Sequence, residues 1–545
     1  MVDILKTIKN SDKRIFVGLA GPGTGKTHTF KTIIESTEFK GKRILILSFM
    51  KKLVNDLSED FKAYDNVKVM TLHAFARLKF VELFKQDLDL DKDLDSIVSK
   101  DYLFVKGNDI GYDIRFYENN ITKDELSFYE NRKNFYAHKK RLYSFNSIIH
   151  VVNLLFTKKE SIIPEYDLIL VDEFQDFNKL EWRLIELLNK KTRVVLVGDD
   201  DQSLYHDFRS AKPGLIRDLF DHKDTQEFTL DDCYRCTNII VVAVNSLIAS
   251  ARAKGYLKDN KVKKFEYPTK RKDDKSEVSK KYNKIDFLPS IPGDMLIYHL
   301  KERIMKDIDG EKDKRILVIV PFYRKQQIYD GLTGKGFNIV EYELFSGEEK
   351  GNIKHRDIID IFNTLTKRKT DDLALRKILP LYLIDHKMKS LIVESYKSGK
   401  GIWNYLEGKI KGKIENDIEI FKKVKGGKDQ LNNNELARLN KLFNLKRLLS
   451  KTIKGFSPIR KSAIEIEMTT IMSSKGLSAD FVYYIGIDDN EILDFRVKKI
   501  TDQKICEFLV GITRAEKKLT LISLRDENPK ILDFIDKDCI NKISL

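Results

Sequence analysis

A short apolar run, Ile15–Ala20, leads directly into Gly21-Pro-Gly-Thr-Gly-Lys-Thr27 and then into a helical pattern. No other feature constrains the fold as strongly, because strand, glycine-rich loop and helix in that order wrap backbone N–H groups around phosphate. Gly21, Gly23 and Gly25 let the backbone close, with Pro22 and Thr24 in the same cradle. Lys26 reaches the outer phosphates, and the Thr27 hydroxyl suits Mg²⁺. The first loop position holds Ala20 where this pattern usually has glycine. A chance glycine turn would not need the strand before it or the helix after it.

The same alternation recurs along the chain. Arg43–Ser48, Leu168–Val171 and Val194–Gly198 are short apolar runs separated by longer helical patterns, as in a parallel sheet covered on both faces. Arg315–Val320, Thr469–Ile471, Phe481–Ile487 and Leu519–Leu524 repeat the arrangement in the second half. At 545 residues the chain exceeds what one core organises. The expected class is α/β: two lobes with parallel sheets, each carrying a helical insertion. Residues 1–78 and 164–250 make the first lobe around an insertion at 79–163. A Lys- and Asp-rich stretch at 251–286 reads as a solvated excursion. Residues 287–379 and 462–545 make the second lobe, around an insertion at 380–461.

Ile169-Leu-Val-Asp172-Glu173-Phe-Gln175-Asp176 delivers two adjacent carboxylates at the C-terminal end of an apolar strand, where ligands bind in such sheets. Asp172 suits Mg²⁺, and Glu173 suits orienting and deprotonating an attacking water. Beside the phosphate loop, this pair implies nucleotide hydrolysis.

Lys and Arg outnumber Asp and Glu by 99 to 83, a formal charge of +16. Such an excess favours a polyanion through counterion release, and equally fits a merely Lys-rich solvated surface. Four cysteines make no disulfide framework, which points to a reducing compartment and a cytoplasmic location. Cys233 and Cys236 form one CxxC, but Cys506 and Cys539 do not form a second, so no structural metal is expected. No apolar run reaches the roughly 18 residues needed to cross a bilayer, so no membrane partner is expected.

Asp172-Glu-Phe-Gln-Asp176 together with Val197-Gly-Asp-Asp-Asp-Gln202-Ser-Leu-Tyr205 resembles motifs II and III of the UvrD/Rep group of superfamily 1 helicases. Ser48-Phe49-Met50 resembles motif Ia, Thr71-Leu-His73-Ala-Phe75 motif Ib, and Cys233-Tyr234-Arg235 motif IV. Thr470-Ile-Met-Ser-Ser-Lys475-Gly476-Leu477 resembles motif V, and Val510-Gly-Ile-Thr513-Arg514-Ala515 motif VI, all in family order. The resemblance implies two RecA-like P-loop NTPase lobes that hydrolyse ATP with Mg²⁺ and drive 3′ to 5′ movement on single-stranded DNA and 3′-tailed duplex. It implies that Gln202 senses the γ-phosphate, that Arg235 and Arg514 are arginine fingers, and that Tyr234 stacks on the adenine, with Gly476 also at the nucleotide. Catalysis would thus fall to Lys26, Glu173, Gln202, Arg235 and Arg514. For nucleic acid it implies contacts by Phe49, Thr71, His73, Tyr205, Phe208 and Arg209, and in the second lobe by Tyr323, Arg324 and Lys475.

Several positions depart from the family pattern. No glutamine precedes Gln86, so the residue that usually reads adenine is missing and the sequence leaves ATP and GTP both open. Met472 and Ser478 stand where motif V commonly has His and Glu, and Leu509 where motif VI commonly has an aromatic. The insertions are short for the family and no nuclease-like segment follows, which allows a compact motor serving a separate nuclease. An ATP-gated clamp or remodeller that separates no strands is the alternative reading.

Overall fold

The computed structural model describes residues 4–48, 51–109, 111, 116–117, 121–138, 140–204, 214–268, 275–311, 314–341, 355–426, 432, 434–435, 438, 464–494 and 498–543. The chain forms two compact units, the first from residues 1–75, 156–345 and 461–545, the second from 76–155 and 346–460.

In chain order the strands begin with β1 (Ile15–Ala20), β2 (Ile44–Ser48) and β3 (Val67–Thr71), then β4 (Leu88–Leu90) and β5 (Arg141–Tyr143) of the second unit. They continue with β6 (Leu168–Val171), β7 (Val194–Gly198) and β8 (Thr225–Leu230). Six of them form a sheet ordered β3-β2-β6-β7-β1-β8, every pair parallel. Strands β2, β6 and β7 are buried throughout, which is why they read as unbroken apolar runs. β6, β7 and β1 are successive neighbours, so the segments that follow them emerge side by side at one sheet edge.

The second sheet uses β9 (Ile285–Leu288), β10 (Ile316–Ile319), β11 (Asn338–Glu341), β12 (Glu465–Thr469), β13 (Ala479–Ile485), β14 (Ala515–Ile522) and β15 (Ile540–Lys542). Its order is β11-β12-β10-β13-β14-β9-β15, again all parallel. Where the sequence suggested a strand at Thr469–Ile471, the strand instead ends at Thr469 and residues 471–473 turn. β9 begins at Ile285, inside residues 251–286, so that stretch is not wholly an excursion. The helix Asn238–Ala253, expected in the first lobe, buries Ile240, Val244 and Leu247 in one core with Phe287, Leu317 and Ile319 of the second sheet.

In the second unit β4 pairs with β5, and both insertions share one apolar core. This core also takes in the helices His355–Lys367 and Asp372–Ile378, which the sequence reading gave to the second lobe. The reason is their apolar face: Ile358, Ile361, Phe362 and Leu365 are buried, with the Phe362 and Phe421 rings 5.6 Å apart. At the centre lies Asp101, fully buried and bound by Arg132 at 2.6 Å, Arg376 at 2.8 Å and the Tyr136 hydroxyl at 2.5 Å. Burial would raise this carboxyl, but the two guanidiniums beside it hold it below its ordinary value.

Candidate nucleotide-hydrolysis site

The phosphate loop runs from the end of β1 into the helix Lys26–Glu35. Gly23 and Gly25 take left-handed φ values of 70° and 87°. A Cβ on Gly23 would stand 2.4 Å from Cβ of Arg235, so only glycine admits the segment that crosses it. That segment is Cys233–Arg235: the Tyr234 amide donates to the Gly23 carbonyl at 2.9 Å and the Cys233 thiol to the Pro22 carbonyl at 3.3 Å. Within the loop, the Thr24 hydroxyl donates to the Gly21 carbonyl at 2.9 Å. Tyr234 is 40% exposed and its hydroxyl donates to Asp232, so it is no core aromatic.

Glu173 follows β6 in a left-handed conformation, φ 52°, a turn uncommon for a side-chain-bearing residue that swings its carboxylate toward the loop. There it meets Lys26 at 3.0 Å, accepts from the Gln175 amide at 2.6 Å and lies 3.7 Å from Lys475. Burial opposes its charge, yet Lys26 and Lys475 more than offset this and keep the carboxyl well below its usual range. Burial also works against the Lys26 ammonium, but Glu173, with Asp172 and Asp199, leaves it raised. Asp172 is buried, and one of its oxygens has no hydrogen-bond partner. Burial first, and then the Glu173 charge, push its carboxyl up to about 7. An unsatisfied buried carboxylate oxygen beside the loop that carries Thr27 is the donor set a hard divalent cation takes.

Gln202 closes the site from the end of β7. Its amide donates to Asp199 at 2.6 Å, and its side-chain oxygen accepts from Arg514 at 3.1 Å. Arg514 is 2% exposed, anchored by the carbonyls of Val510 at 2.8 Å and Leu477 at 3.0 Å. Burial, then the neighbouring Arg235 guanidinium, hold it down to about 9. Arg514 thus lies within electrostatic reach of both the Arg235 guanidinium and the carboxylate of Glu173.

Lys475 has surroundings that its motif does not announce. It was expected on the nucleic-acid track, but it is 2% exposed and donates to Asp176 at 2.6 Å and to the Gln202 carbonyl at 2.8 Å. The motif V turn brings its ammonium against the carboxylates of Asp176 and Glu173. Gly476 next to it, φ 83°, lies against Leu53, whose side chain a Cβ would meet at 2.8 Å.

The expected nucleic-acid contacts are spread out. Thr71 ends β3, its hydroxyl accepting from the Ala74 amide at 3.1 Å, and His73 stands 3.7 Å from Glu181. Tyr323, 56% exposed, and Arg324 form the turn after β10, with the Tyr323 hydroxyl donating to Glu491 at 2.5 Å. Phe49, Tyr205, Phe208 and Arg209 lie outside the described residues.

Gln175, Asp199 and Lys263 were given no roles in the sequence reading. The Gln175 side-chain oxygen accepts from the Asp199 amide at 2.9 Å while its amide holds Glu173, which ties β6 to β7. A run of three aspartates without a nearby cation is the one sequence signal that a distant lysine must answer them.

Comparison with known proteins agrees with this geometry. The family described as AAA domain matches residues 5–207, and the family described as UvrD-like helicase C-terminal domain matches residues 382–526. The chain is 25% identical to the ATP-dependent DNA helicase Rep of Buchnera aphidicola (subsp. Schizaphis graminum), over 92% of this chain and 90% of that protein. It is 23% identical to a probable DNA helicase II homolog of Mycoplasma genitalium, over 96% and 86%. It is also 24% identical to DNA helicase II of Haemophilus influenzae, over 74% and 63%. With both family matches falling in order along the chain and relatives aligned over nine-tenths of it, the chain belongs to the UvrD/Rep-like helicases.

Proposed function

We propose that this chain is an ATP-dependent DNA helicase that couples hydrolysis between its two lobes to 3′ to 5′ movement on single-stranded DNA. The observation that carries this reading is the meeting of Arg514 and Lys475 from the second lobe with Gln202, Glu173 and Asp176 from the first. Groups from both lobes around one phosphate site make hydrolysis depend on how the lobes close.

The loop amides and Lys26 bind the phosphates. Thr27 and the unpartnered oxygen of Asp172 would hold Mg²⁺, which supplies charge neutralisation of the phosphate oxygens. Glu173, kept ionised by Lys26 and Lys475, accepts the proton of the attacking water at its carboxylate. Arg235 and Arg514 stabilise the charge that develops on the transferred phosphoryl group. Gln202 is bound to Arg514 and reports whether the γ-phosphate is there. Tyr234 offers an exposed ring for the base. Thr71, His73, Tyr323 and Arg324 contact the strand, with stacking and phosphate pairing that are tolerant of sequence.

ATP turnover by the full chain, with and without single-stranded DNA, tests the reading, followed by displacement of a strand from a 3′-tailed duplex. Stimulated turnover with strand release is expected. Stimulated turnover without release would make the protein a clamp or remodeller, and absence of stimulation would remove movement along DNA.

A further inference from the structure

The stretch after Ala253 was expected to be a solvated excursion, but part of it is built into the site. Residues 261–266 alternate in exposure: Val262 is 81% exposed, while the Lys263 side chain is 5% exposed and Phe265 4%. Glu266 is bridged in parallel to Asp232, and its carbonyl accepts from the Cys233 amide at 2.8 Å. The segment is therefore fastened beside Tyr234 and Arg235. Phe265 lies so close on the phosphate loop that a Cβ on Gly21 would stand 2.8 Å from its ring.

The Lys263 ammonium ends among three buried carboxylates, in contact with Asp199, 2.6 Å from Asp201 and 3.0 Å from Asp200. The Asn260 amide donates to Asp201 at 2.6 Å, and the Lys261 backbone amide donates to Asp200 at 2.7 Å. Arg217 pairs with Asp200 from the other side at 3.1 Å. Asp199 is the member that matters for chemistry. One of its oxygens meets Lys263, and the other accepts from the Gln202 amide. That bond leaves the Gln202 side-chain oxygen turned to Arg514, and the Asp199 backbone amide is held by Gln175, which also holds Glu173. A lysine from a distant segment thus reaches Gln202 through Asp199.

We propose that Lys263 is a positioning residue for ATP hydrolysis: its charge pins Asp199, and Asp199 fixes the Gln202 amide in the orientation that pairs with Arg514. This deepens the proposed function and rests on Gln202 acting at the γ-phosphate. Without the cation, three adjacent carboxylates repel one another, Asp199 swings away and Gln202 loses its fixed orientation.

The test is steady-state ATP turnover by the full chain with saturating single-stranded DNA, together with binding of ADP and of a non-hydrolysable ATP analogue. Lys263→Met is expected to lower kcat about 10- to 100-fold, the scale of one charge-assisted hydrogen bond lost from the transition state. ADP affinity should stay within about twofold while the preference for the analogue over ADP falls, a split that a general loss of folding would not produce. Lys263→Arg should recover part of the rate, and in a Gln202→Ala background Lys263→Met should cost nothing further. Should Lys263→Met fail to fold, Lys263→Met with Asp201→Asn removes one carboxylate along with the cation, and its kcat should still fall. A folded double variant with unaltered kcat, or Lys263 and Gln202 effects that multiply, would overturn the proposal. If the unaltered chain showed no turnover, the failure would lie with the proposed function itself.

Discussion

Glu173 is ionised because two lysines, one from each lobe, stand against it. Replacing its charge while keeping its shape separates binding from chemistry. Glu173→Gln should bind ATP with affinity close to that of the unaltered chain and lose about 10²- to 10⁴-fold in turnover, the contribution of a positioned base. Nucleotide binding and single-turnover hydrolysis, measured on the same preparation, check this. The residues of this site were legible in the sequence where a motif presents them at a strand end: Lys26, Asp172, Glu173 and Gln202 all follow apolar runs. Lys475 was legible as a residue but its buried partners were not, because a motif fixes what a turn contains and not which way its lysine points. Three adjacent aspartates signal that a cation must answer them, but not that the cation is Lys263. It sits in a lysine-rich stretch whose members look alike until three buried aspartates single one out.

The elements that position the site are few: β1, β6 and β7, neighbours in a parallel sheet, and the loop after β1. That loop tolerates no side chain at Gly23, where a left-handed φ and the Arg235 contact coincide. Gly23→Ala should cost about 1–2 kcal/mol from backbone strain alone and displace Arg235. ATP binding and turnover should therefore both fall, with only a modest drop in melting temperature. Turnover unchanged in this variant would mean that Arg235 is not set by the loop. Most of the buried strands were readable as apolar runs, whereas β8, with the mixed pattern Thr-Gln-Glu-Phe-Thr-Leu, the buried β9, whose run is broken by Asp286, and the short β11 and β15 were not. A strand that is half exposed, or whose short run is interrupted by a polar residue, carries too little periodicity to stand out.

At the scale of the whole molecule, the second unit is held by polar groups as well as by its core. Asp101→Ala would strand Arg132 and Arg376 without a counter-charge, and should destabilise this unit by about 3–5 kcal/mol, read by chemical denaturation. Asp95 in the same unit is a different case. Burial pushes its carboxyl up to about 6, only partly opposed by the Tyr129, Tyr117 and Asn146 hydrogen bonds. Because the folded chain then binds this proton more tightly than the unfolded chain, stability from Asp95 is present at low pH and lost as pH rises from about 4 through about 6. Asp95→Asn should thus raise the melting temperature at pH 7.5, by at most about 3 kcal/mol in stability, and lose that advantage near pH 4. The division into lobes was readable from the repeated strand runs, but the joint core of the two insertions was not, since nothing local records a pairing between segments so far apart in the chain.

That joint core has a consequence for synthesis. Residues 76–155 leave the ribosome long before 346–421, yet Leu94, Tyr102, Phe128 and Tyr129 share their core with Phe362, Ile392 and Phe421. Until the later segment emerges, the earlier one must wait with part of its apolar surface uncovered and Asp101 lacking Arg376. Slow elongation or a truncated message would prolong that interval, and nascent chains of this protein should then depend on chaperones more than their first lobe alone would require.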